Sequence, residues 1–538
     1  MNGNNKEIAV RKKGLHIGKA DTTKLLLAAI FISMVFLPLI RMFLHMDAKS
    51  ISGVLSSPNF ASSVCNSLIA TVIATVITII LAFVAAICVE RTKIKFKGLF
   101  SILFVLPMLV PSISNGMGLV ILFGNNGIFT KLLNVNFGIY GLKGIVLGSV
   151  LYAFPVAFLM FSDVIKYEDG TPYEAAKVLG LSKIRQFMAI TLPYMRKPLI
   201  TVIFSTFTLI VTDYGVPLMV GGKFTTVPVV MYQQVIGQLD FGKGSVYGSI
   251  LLIPAVIAFI IDIINRDRGN SAFVARKYEP SNGKLKKVVS YVICGLSALY
   301  TLLPIFSFIV LAFAKDYPNN MSFTLDNFQK AMRLRADDYL LNSIIIALLV
   351  SLAGIVISFL TAYMSARMKS KTSMLLHLSA MTSAAIPGIV LGLSYVLTFK
   401  GSPVYGTIII LVMVNLVHFI ASPYLMIYNS LSKVNENLEA VAFTLGINRI
   451  HMIKDVFLPM CKNTLFEMFS YFFVNCMITI SAVSFLANTA NKPVALMINQ
   501  FEAQLQLECA AIVSLMILAV NLIIKGIFHL LKLNREWR

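Results

Sequence analysis

Residues 174–193 read EAAKVLGLSKIRQFMAITLP, and residues 439–459 read EAVAFTLGINRIHMIKDVFLP. In these stretches Gly180 and Gly446 are each followed, thirteen positions later, by the proline of a Leu-Pro pair. Both stretches are polar and lie between long apolar runs. A polar pattern repeated inside an apolar chain indicates a duplicated membrane protein with a surface that a partner could bind twice.

The composition places the chain in a bilayer. Apolar residues make up 57% of the 538, charged residues only 13%, and the mean hydropathy is +0.81. A soluble protein has about 25% charged residues. The apolar runs are continuous and long, whereas a β-barrel shows alternating segments of about ten residues. We therefore predict an all-α polytopic membrane protein.

A spanning helix needs about 20 mostly apolar residues, and such runs recur about twelve times, six in each half. The predicted spans lie near residues 25–44, 64–89, 99–123, 142–165, 199–216, 246–264, 288–313, 343–366, 374–399, 407–428, 465–486 and 509–531.

The distribution of charge predicts the orientation. Most of the 46 lysines and arginines fall in the two termini and in alternate loops, which predicts that both termini are cytoplasmic. The net charge of +22 is then a topology signal that also favours contact with anionic lipid. A nucleic-acid partner is not expected, because the charges are scattered over thin loops. The six cysteines have no CxxC spacing, so no metal site is predicted.

The two halves of the chain match beyond the opening pattern. Asn-Ser pairs, prolines and glycines recur in the same order at nearly constant spacing. The matched positions are Asn66-Ser67 with Asn342-Ser343, Pro111 with Pro387, Gly116 with Gly392, and Pro155 with Pro423. We predict two parallel six-helix repeats, residues 1–275 and 276–538, joined by a basic linker.

The repeated pattern predicts a helix, a turn and a second helix. Pro172 and Glu174 suit a helix start, and Gly180 suits a helix end. A basic second helix with Lys183 and Arg185 then leads to the next span. The alternative is an ordinary amphipathic interfacial loop, which is less favoured because the pattern occurs twice.

The pattern resembles the EAA loop of permease subunits in binding-protein-dependent ABC importers of the type I (MetI-like) fold. That motif reads E-A-A, three positions, G, nine positions, I, one position, L-P. The first copy matches throughout, at Glu174, Ala175, Ala176, Gly180, Ile190, Leu192 and Pro193. The second copy keeps Gly446, Leu458 and Pro459, but it has Ala440 at the glutamate position beside Glu439, and Val456 replaces the isoleucine.

The resemblance implies that the loops at residues 172–193 and 437–459 are coupling helices for two copies of a separate ATPase subunit. That ATPase would bind ATP and Mg²⁺, and this chain would need no cofactor. The nearest Walker-like sequence, Gly18-Lys19, is followed by Ala20, so we expect no enzyme activity in this chain. The resemblance further implies a bacterial cell membrane location and an extracytoplasmic substrate-binding protein. We expect Glu174→Ala to reduce transport more than Glu439→Ala.

The substrate is less clearly marked in the sequence. Residues 212–224, 232–259 and 478–486 are similar to fused permeases for 2-aminoethylphosphonate, with ferric iron as the second choice and polyamine or thiamine as more distant ones. Asp213, Tyr214 and Gly215 are predicted to lie at the outer end of the fifth span, where they could form a gate. The alternative is a plain helix-terminating turn.

Two other classes of transport protein compete with this interpretation. A secondary transporter would need ionisable groups at mid-membrane, and the candidates are His418, Glu467, Asp262 and Asp213. A channel is less favoured, since no carbonyl-rich filter sequence is evident. Dependence of uptake on ATP would separate these classes.

Overall fold

The computed structural model describes residues 19–265, 276–435 and 437–536. The predicted repeat boundary at residue 275 and Gly18 of the Walker-like stretch lie outside this described part. The first repeat has thirteen helices: α1 (Lys19–Leu44), α2 (Ala48–Leu55), α3 (Phe60–Glu90), α4 (Lys97–Val105), α5 (Ser112–Phe123), α6 (Ile128–Leu133), α7 (Leu142–Lys166), α8 (Thr171–Val178), α9 (Lys183–Gln186), α10 (Leu192–Val211), α11 (Gly215–Val220), α12 (Val227–Tyr232) and α13 (Phe241–Asn265).

The second repeat adds thirteen helices and one hairpin. The helices are α14 (Lys284–Ala312), α15 (Asp326–Arg333), α16 (Ala336–Ala366), α17 (Lys371–Met381), α18 (Gly388–Phe399), α19 (Ile408–Phe419), α20 (Ala421–Ser432), α21 (Asn437–Thr444), α22 (Arg449–Met452), α23 (Leu458–Met460), α24 (Lys462–Ile478), α25 (Ala495–Ala503) and α26 (Leu507–Glu536). The hairpin pairs β1 (Ala314–Asp316) with β2 (Asn320–Phe323) in antiparallel fashion. The predicted all-α polytopic fold is confirmed, with this hairpin as its one addition in the described residues.

The number of continuous spans is smaller than the sequence predicts. In the described residues nine helices are long and apolar enough to cross a membrane, or eleven if two sharply bent pairs each count as one span. The apolar run 465–486 forms only the 17-residue α24, which ends at Ile478. Its C-cap Thr479 is extended, and the rest of the run forms turns instead of helix.

Prolines interrupt two of the predicted spans. Run 99–123 breaks before Pro111 and run 374–399 before Pro387, where α17 and α18 differ in direction by 102°. Val110 and Ile386, which precede these prolines, are extended, as steric clash with a proline ring requires. Both repeats therefore contain a broken helix at the same place.

Small residues bring the long helices into close contact. Ala74, Ala82 and Ala85 of α3 are fully buried. In the second repeat, a Cβ added to Gly354 of α16 would lie 2.6 Å from the ring of Phe472 on α24. Close approach of helix backbones through small residues is the usual way in which membrane helices associate.

The two repeats exchange their first helices. In α1, Nζ of Lys24 donates to the carbonyl of Met368 at 2.5 Å, and the Tyr395 hydroxyl donates to the Met34 carbonyl at 3.0 Å. In α14, the Tyr300 hydroxyl donates to the Leu147 carbonyl at 2.6 Å. Thus α1 packs against the second repeat and α14 against the first, so that each repeat helps to complete the other.

Candidate docking surface and central cavity

The two repeated stretches fold alike. We call residues 172–193 the first segment and residues 437–459 the second segment. In the first, α8 ends before Gly180, and the Ser182 hydroxyl then caps α9 by accepting from the Arg185 amide. In the second, α21 ends before Gly446, and the Asn448 side chain caps α22. A π-helical turn follows in each segment, and the Leu-Pro pair opens the next helix.

Gly180 and Gly446 are needed for their backbone conformation. Both have φ of +69°, in the left-handed region that a glycine adopts without a Cβ clash. A Cβ added to either one would meet nothing within 4 Å. The predicted role of these glycines as helix ends is confirmed, and the structure shows that open space surrounds both.

Large apolar side chains project from both segments. Val178, Leu179 and Ile184 of the first segment are 88%, 77% and 76% exposed. Phe443 and Ile450 of the second segment are 86% and 69% exposed. Polar segments that keep apolar side chains exposed in matching places form a pair of candidate docking surfaces.

The predicted docking residues divide into exposed and buried groups. The exposed ones are Glu174, Ala175, Gly180, Leu192, Pro193, Ala440, Gly446 and Pro459. Ala176 is only 3% exposed, because it packs against its own chain, and Ala442 of the second segment is 5% exposed. Glu439 and Leu458 are partly buried. Ala176 therefore supports the segment from inside, and the contact surface is formed by the larger apolar residues.

An arginine anchors the first segment to the end of α3. Nη2 of Arg91 donates to Glu168 at 2.5 Å and to the hydroxyl of Tyr173 at 2.9 Å. The Tyr173 hydroxyl in turn donates to Glu168 at 2.5 Å. Burial and then the hydrogen bond to Glu168 raise the pKa of Tyr173, so the phenol stays protonated. The guanidinium also lies over the rings of Tyr173 and Tyr278, 5.2 Å from each centroid.

A second arginine anchors the second segment to the end of α16 in a different way. Nε of Arg367 donates to Glu439 Oε1 at 2.6 Å, and Nη2 donates to Oε2 at 2.5 Å. The guanidinium also lies 5.3 Å from the centroid of Phe457. It donates further to three backbone carbonyls, those of Leu431, Val434 and Asn435. A bidentate pair of this kind fixes the orientation of both side chains as well as their distance.

Glu174 and Glu439 consequently have different environments. Glu174 is 53% exposed and forms an ion pair of 3.0 Å with Arg276, which is itself 58% exposed. Glu439 faces Arg367, a cation that is only 3% exposed. Both acids thus pair with an arginine of their own chain, but the pair of Glu174 is exposed on both sides and that of Glu439 is largely buried.

Sequence reasoning missed both arginines. A signal existed, because Arg91 and Arg367 stand at the same distance after the matched Asn-Ser pairs, just beyond the apolar runs of α3 and α16. The acids could not be matched in this way. Glu168 has Val434 at its equivalent position, and Glu439 has Tyr173.

A cavity of about 410 Å³ lies between the two repeats. Its ionisable residues include Asp213 and Asp262 from the first repeat and His418 from the second, with phenols from Tyr152 and Tyr471. Among the described residues, the lining contains no lysine or arginine. The described lining of this cavity therefore has carboxylic and phenolic side chains, and the imidazole of His418 in place of any lysine or arginine.

The predicted gate residues lie at the border of this cavity. Asp213 accepts from the Ser112 hydroxyl at 2.6 Å and from the amide of Val216 at 3.0 Å, so it also stabilises the turn after α10. The Tyr214 hydroxyl lies 2.5 Å from that of Ser484 in the second repeat. A Cβ on Gly215 would lie 2.4 Å from Ser112 Oγ. The turn is thus present, in tight contact with the opposite repeat.

The four residues that the sequence offered as candidates for ion coupling do not all line one cavity. Asp213, Asp262 and His418 line the same cavity, whereas Glu467 does not. His418 is buried against Gly388, and a Cβ on that glycine would lie 2.9 Å from Nε2 of the imidazole. Ionisable groups at such a place suit either a carrier or the pathway of a pump, so they do not separate the two classes.

Comparison with known proteins distinguishes between these two classes of transporter. The family model for the binding-protein-dependent transport system inner membrane component matches residues 78–266 and 354–534. A chain of Haemophilus influenzae named as a ferric transport system permease is 26% identical over 401 residues, which cover 71% of this chain and 63% of the relative. One from Actinobacillus pleuropneumoniae, also named as a ferric permease, is 25% identical over 410 residues, covering 73% and 59%.

A more distant match is the thiamine transport system permease of Brucella abortus, which is 24% identical over 230 residues, 41% of this chain and 42% of the relative. The chain spans about six tenths of the length of the ferric relatives. With two matches that together cover most of its length, the chain belongs to the family of binding-protein-dependent transport system inner membrane components and contains that family's domain twice.

Proposed function

We propose that this chain is the membrane permease of an ATP-driven importer, in which the first and second segments dock one ATPase subunit each. The observation that carries this proposal is the pair of exposed apolar surfaces at matching positions of the two repeats, such as Leu179 and Leu445. ATP and Mg²⁺ would be bound by the partner subunits, and an external binding protein would deliver the cargo. The chain would form the passage without being an enzyme.

The proposal includes an orientation. The segments and both termini would face the cytoplasm of a bacterial cell, since most basic residues are assigned to that side. The cavity between the repeats would then be the part of the passage that opens alternately to the two sides of the membrane. Docked ATPase subunits would move α3 and α16 through Arg91 and Arg367, which join the segments to those helices.

We propose a cationic cargo, with ferric iron as the first candidate. Two relatives are named as ferric permeases. The cavity offers the carboxylates of Asp213 and Asp262 and no lysine or arginine in its described lining, which favours a cation over an anion. The 2-aminoethylphosphonate favoured by the sequence carries a net negative charge, so it suits this cavity less well.

The class of transporter can be tested by energising uptake in different ways. Right-side-out vesicles of the native host would be loaded with ATP or with a non-hydrolysable analogue, each with and without a protonophore. We expect uptake that requires hydrolysable ATP and survives the protonophore. Uptake driven by an ion gradient without ATP would show a secondary transporter instead.

The cargo can be tested by deleting the gene in its native host. Uptake of radiolabelled ferric iron, 2-aminoethylphosphonate, thiamine and spermidine would be measured in parallel, with the gene restored on a plasmid as the control. Selective loss of iron uptake would support the proposal. Selective loss of phosphonate uptake would overturn the proposed cargo and leave the class of transporter unchanged.

A further inference from the structure

A second cavity, of about 420 Å³, opens beside the first segment. It lies between the end of α3, the segment itself and the beginning of α14, so both repeats contribute to it. Its apolar wall includes Ile87, Phe187, Leu285 and Val289. This cavity is separate from the central one and has no part in the proposed passage.

The apolar wall lies at the end of a candidate membrane span. Helix α14 is apolar over most of its length, and Leu285 and Val289 lie in its first turns. These side chains are 78% and 47% exposed. Apolar side chains exposed at the end of a span lie where lipid acyl chains meet their headgroups.

Two lysines border the same cavity without acidic partners. Lys183 comes from α9 and Lys286 from α14. Nζ of Lys183 lies 3.4 Å from Oε1 of Gln186, and within the described part of the chain neither lysine has a carboxylate within ion-pair distance. The third cation, Arg91, is already paired with Glu168. The net charge of the site is therefore positive.

We propose that this cavity binds an anionic phospholipid. The headgroup phosphate lies between Lys183 and Lys286, and an acyl chain follows the wall formed by Leu285 and Val289. A free phosphate would use the lysines but not the apolar wall, and a neutral lipid would use the wall but not the lysines. The bound lipid links the first segment to α14, and the lipid thereby holds that segment against the second repeat.

The test measures lipid binding directly, so its outcome does not depend on the proposed transport. The purified full-length chain would be delipidated in a mild detergent and titrated with short-chain phosphatidylglycerol or phosphatidylcholine, with bound lipid counted by native mass spectrometry. We expect saturable binding of one phosphatidylglycerol and at least tenfold weaker binding of phosphatidylcholine. The double variant Lys183→Gln/Lys286→Gln should bind phosphatidylglycerol about thirtyfold more weakly, since a lysine near an anionic lipid contributes about 1 kcal/mol.

The matched control is Lys223→Gln/Lys315→Gln, which removes two exposed lysines from the opposite side of the molecule. It should bind the lipid as the unmodified chain does. Val289→Trp, which keeps both charges and fills the apolar wall, should also lose binding. Equal binding by both double variants would overturn the proposal. So would displacement of the lipid by millimolar inorganic phosphate, which indicates a free-anion site, or equal affinity for phosphatidylcholine.

Discussion

The first and second segments share a backbone and differ in how they are held. In the first, Arg91 is shared between Glu168 and the phenol of Tyr173. In the second, Arg367 makes a bidentate pair with Glu439 and three further bonds to carbonyls. Duplication has preserved the arginine and the turn while the acid has moved from the end of one helix to the start of the next. A matching role therefore does not require a matching sequence position.

The largest effect is expected from Arg367→Ala. This variant leaves Glu439 and three carbonyls without their donor, and breaking a buried ion pair costs about 3–5 kcal/mol. We expect the second segment to lose its order, with a lower midpoint of thermal unfolding in detergent and faster hydrogen exchange over residues 437–459. Arg91→Ala is the matched control and should leave that exchange unchanged. If Arg91→Ala also accelerates exchange over residues 437–459, the two anchors are not independent.

A second prediction transplants one anchor into the other repeat. Glu439→Tyr leaves Arg367 with no carboxylate, and we expect a loss of about 2–3 kcal/mol in the free energy of unfolding. Adding Val434→Glu recreates the first-repeat arrangement, because Val434 stands where Glu168 stands. The double variant should recover at least half of the loss in a denaturant titration. Additive destabilisation would show that the arrangement cannot be exchanged between the repeats.

Glu174→Ala should separate coupling from stability. The pair of Glu174 with Arg276 is exposed on both sides, so its loss should cost at most about 1 kcal/mol. We still expect a clear fall in ATP-dependent uptake, because this acid is exposed where a partner could contact it. Glu439→Ala should lower both uptake and stability. Arg276→Ala is the control: if it impairs uptake as strongly as Glu174→Ala, then the ion pair, and not the acid, is what matters.

The smallest effect on stability is expected from replacing the glycine at the turn of each segment, and it should be equal in the two segments. Gly180→Ala and Gly446→Ala each force a Cβ into φ of +69°, at a cost of about 1 kcal/mol. Since open space surrounds both glycines, we expect no steric contribution beyond this. Thermal unfolding of the two variants should shift by the same amount. Unequal shifts would show that the turns differ in a way their common backbone does not reveal.

Much of the fold could be predicted because it depends on local signals. The apolar runs of α3 and α16 marked those helices, and Gly180 and Gly446 marked the ends of α8 and α21. The broken spans at Pro111 and Pro387 were less apparent, because a continuous apolar run does not show that the chain turns inside it. The same is true of α24, whose run continues beyond its end at Ile478.

The candidate sites were predicted only in part. The two segments were found from their repeated pattern, but the pattern could not tell that Ala176 faces inward or that Glu439 is bound by its own chain. Asp213, Tyr214 and Gly215 lie in a turn after α10, and their role as a gate stays a prediction. Their contact with Ser484 of the other repeat required the structure.

By itself, the sequence determined the membrane class, the duplication and the two helix–turn–helix segments. Hydropathy, glycine and proline act within a few residues of the chain, so their effects are visible in the order of amino acids. Only the tertiary structure decided the exchange of α1 and α14, the pairing of each arginine and which carboxyl groups line the cavity between the repeats. These features depend on contacts between distant positions, such as Lys24 with the Met368 carbonyl across 344 residues, and no local pattern specifies which distant groups meet.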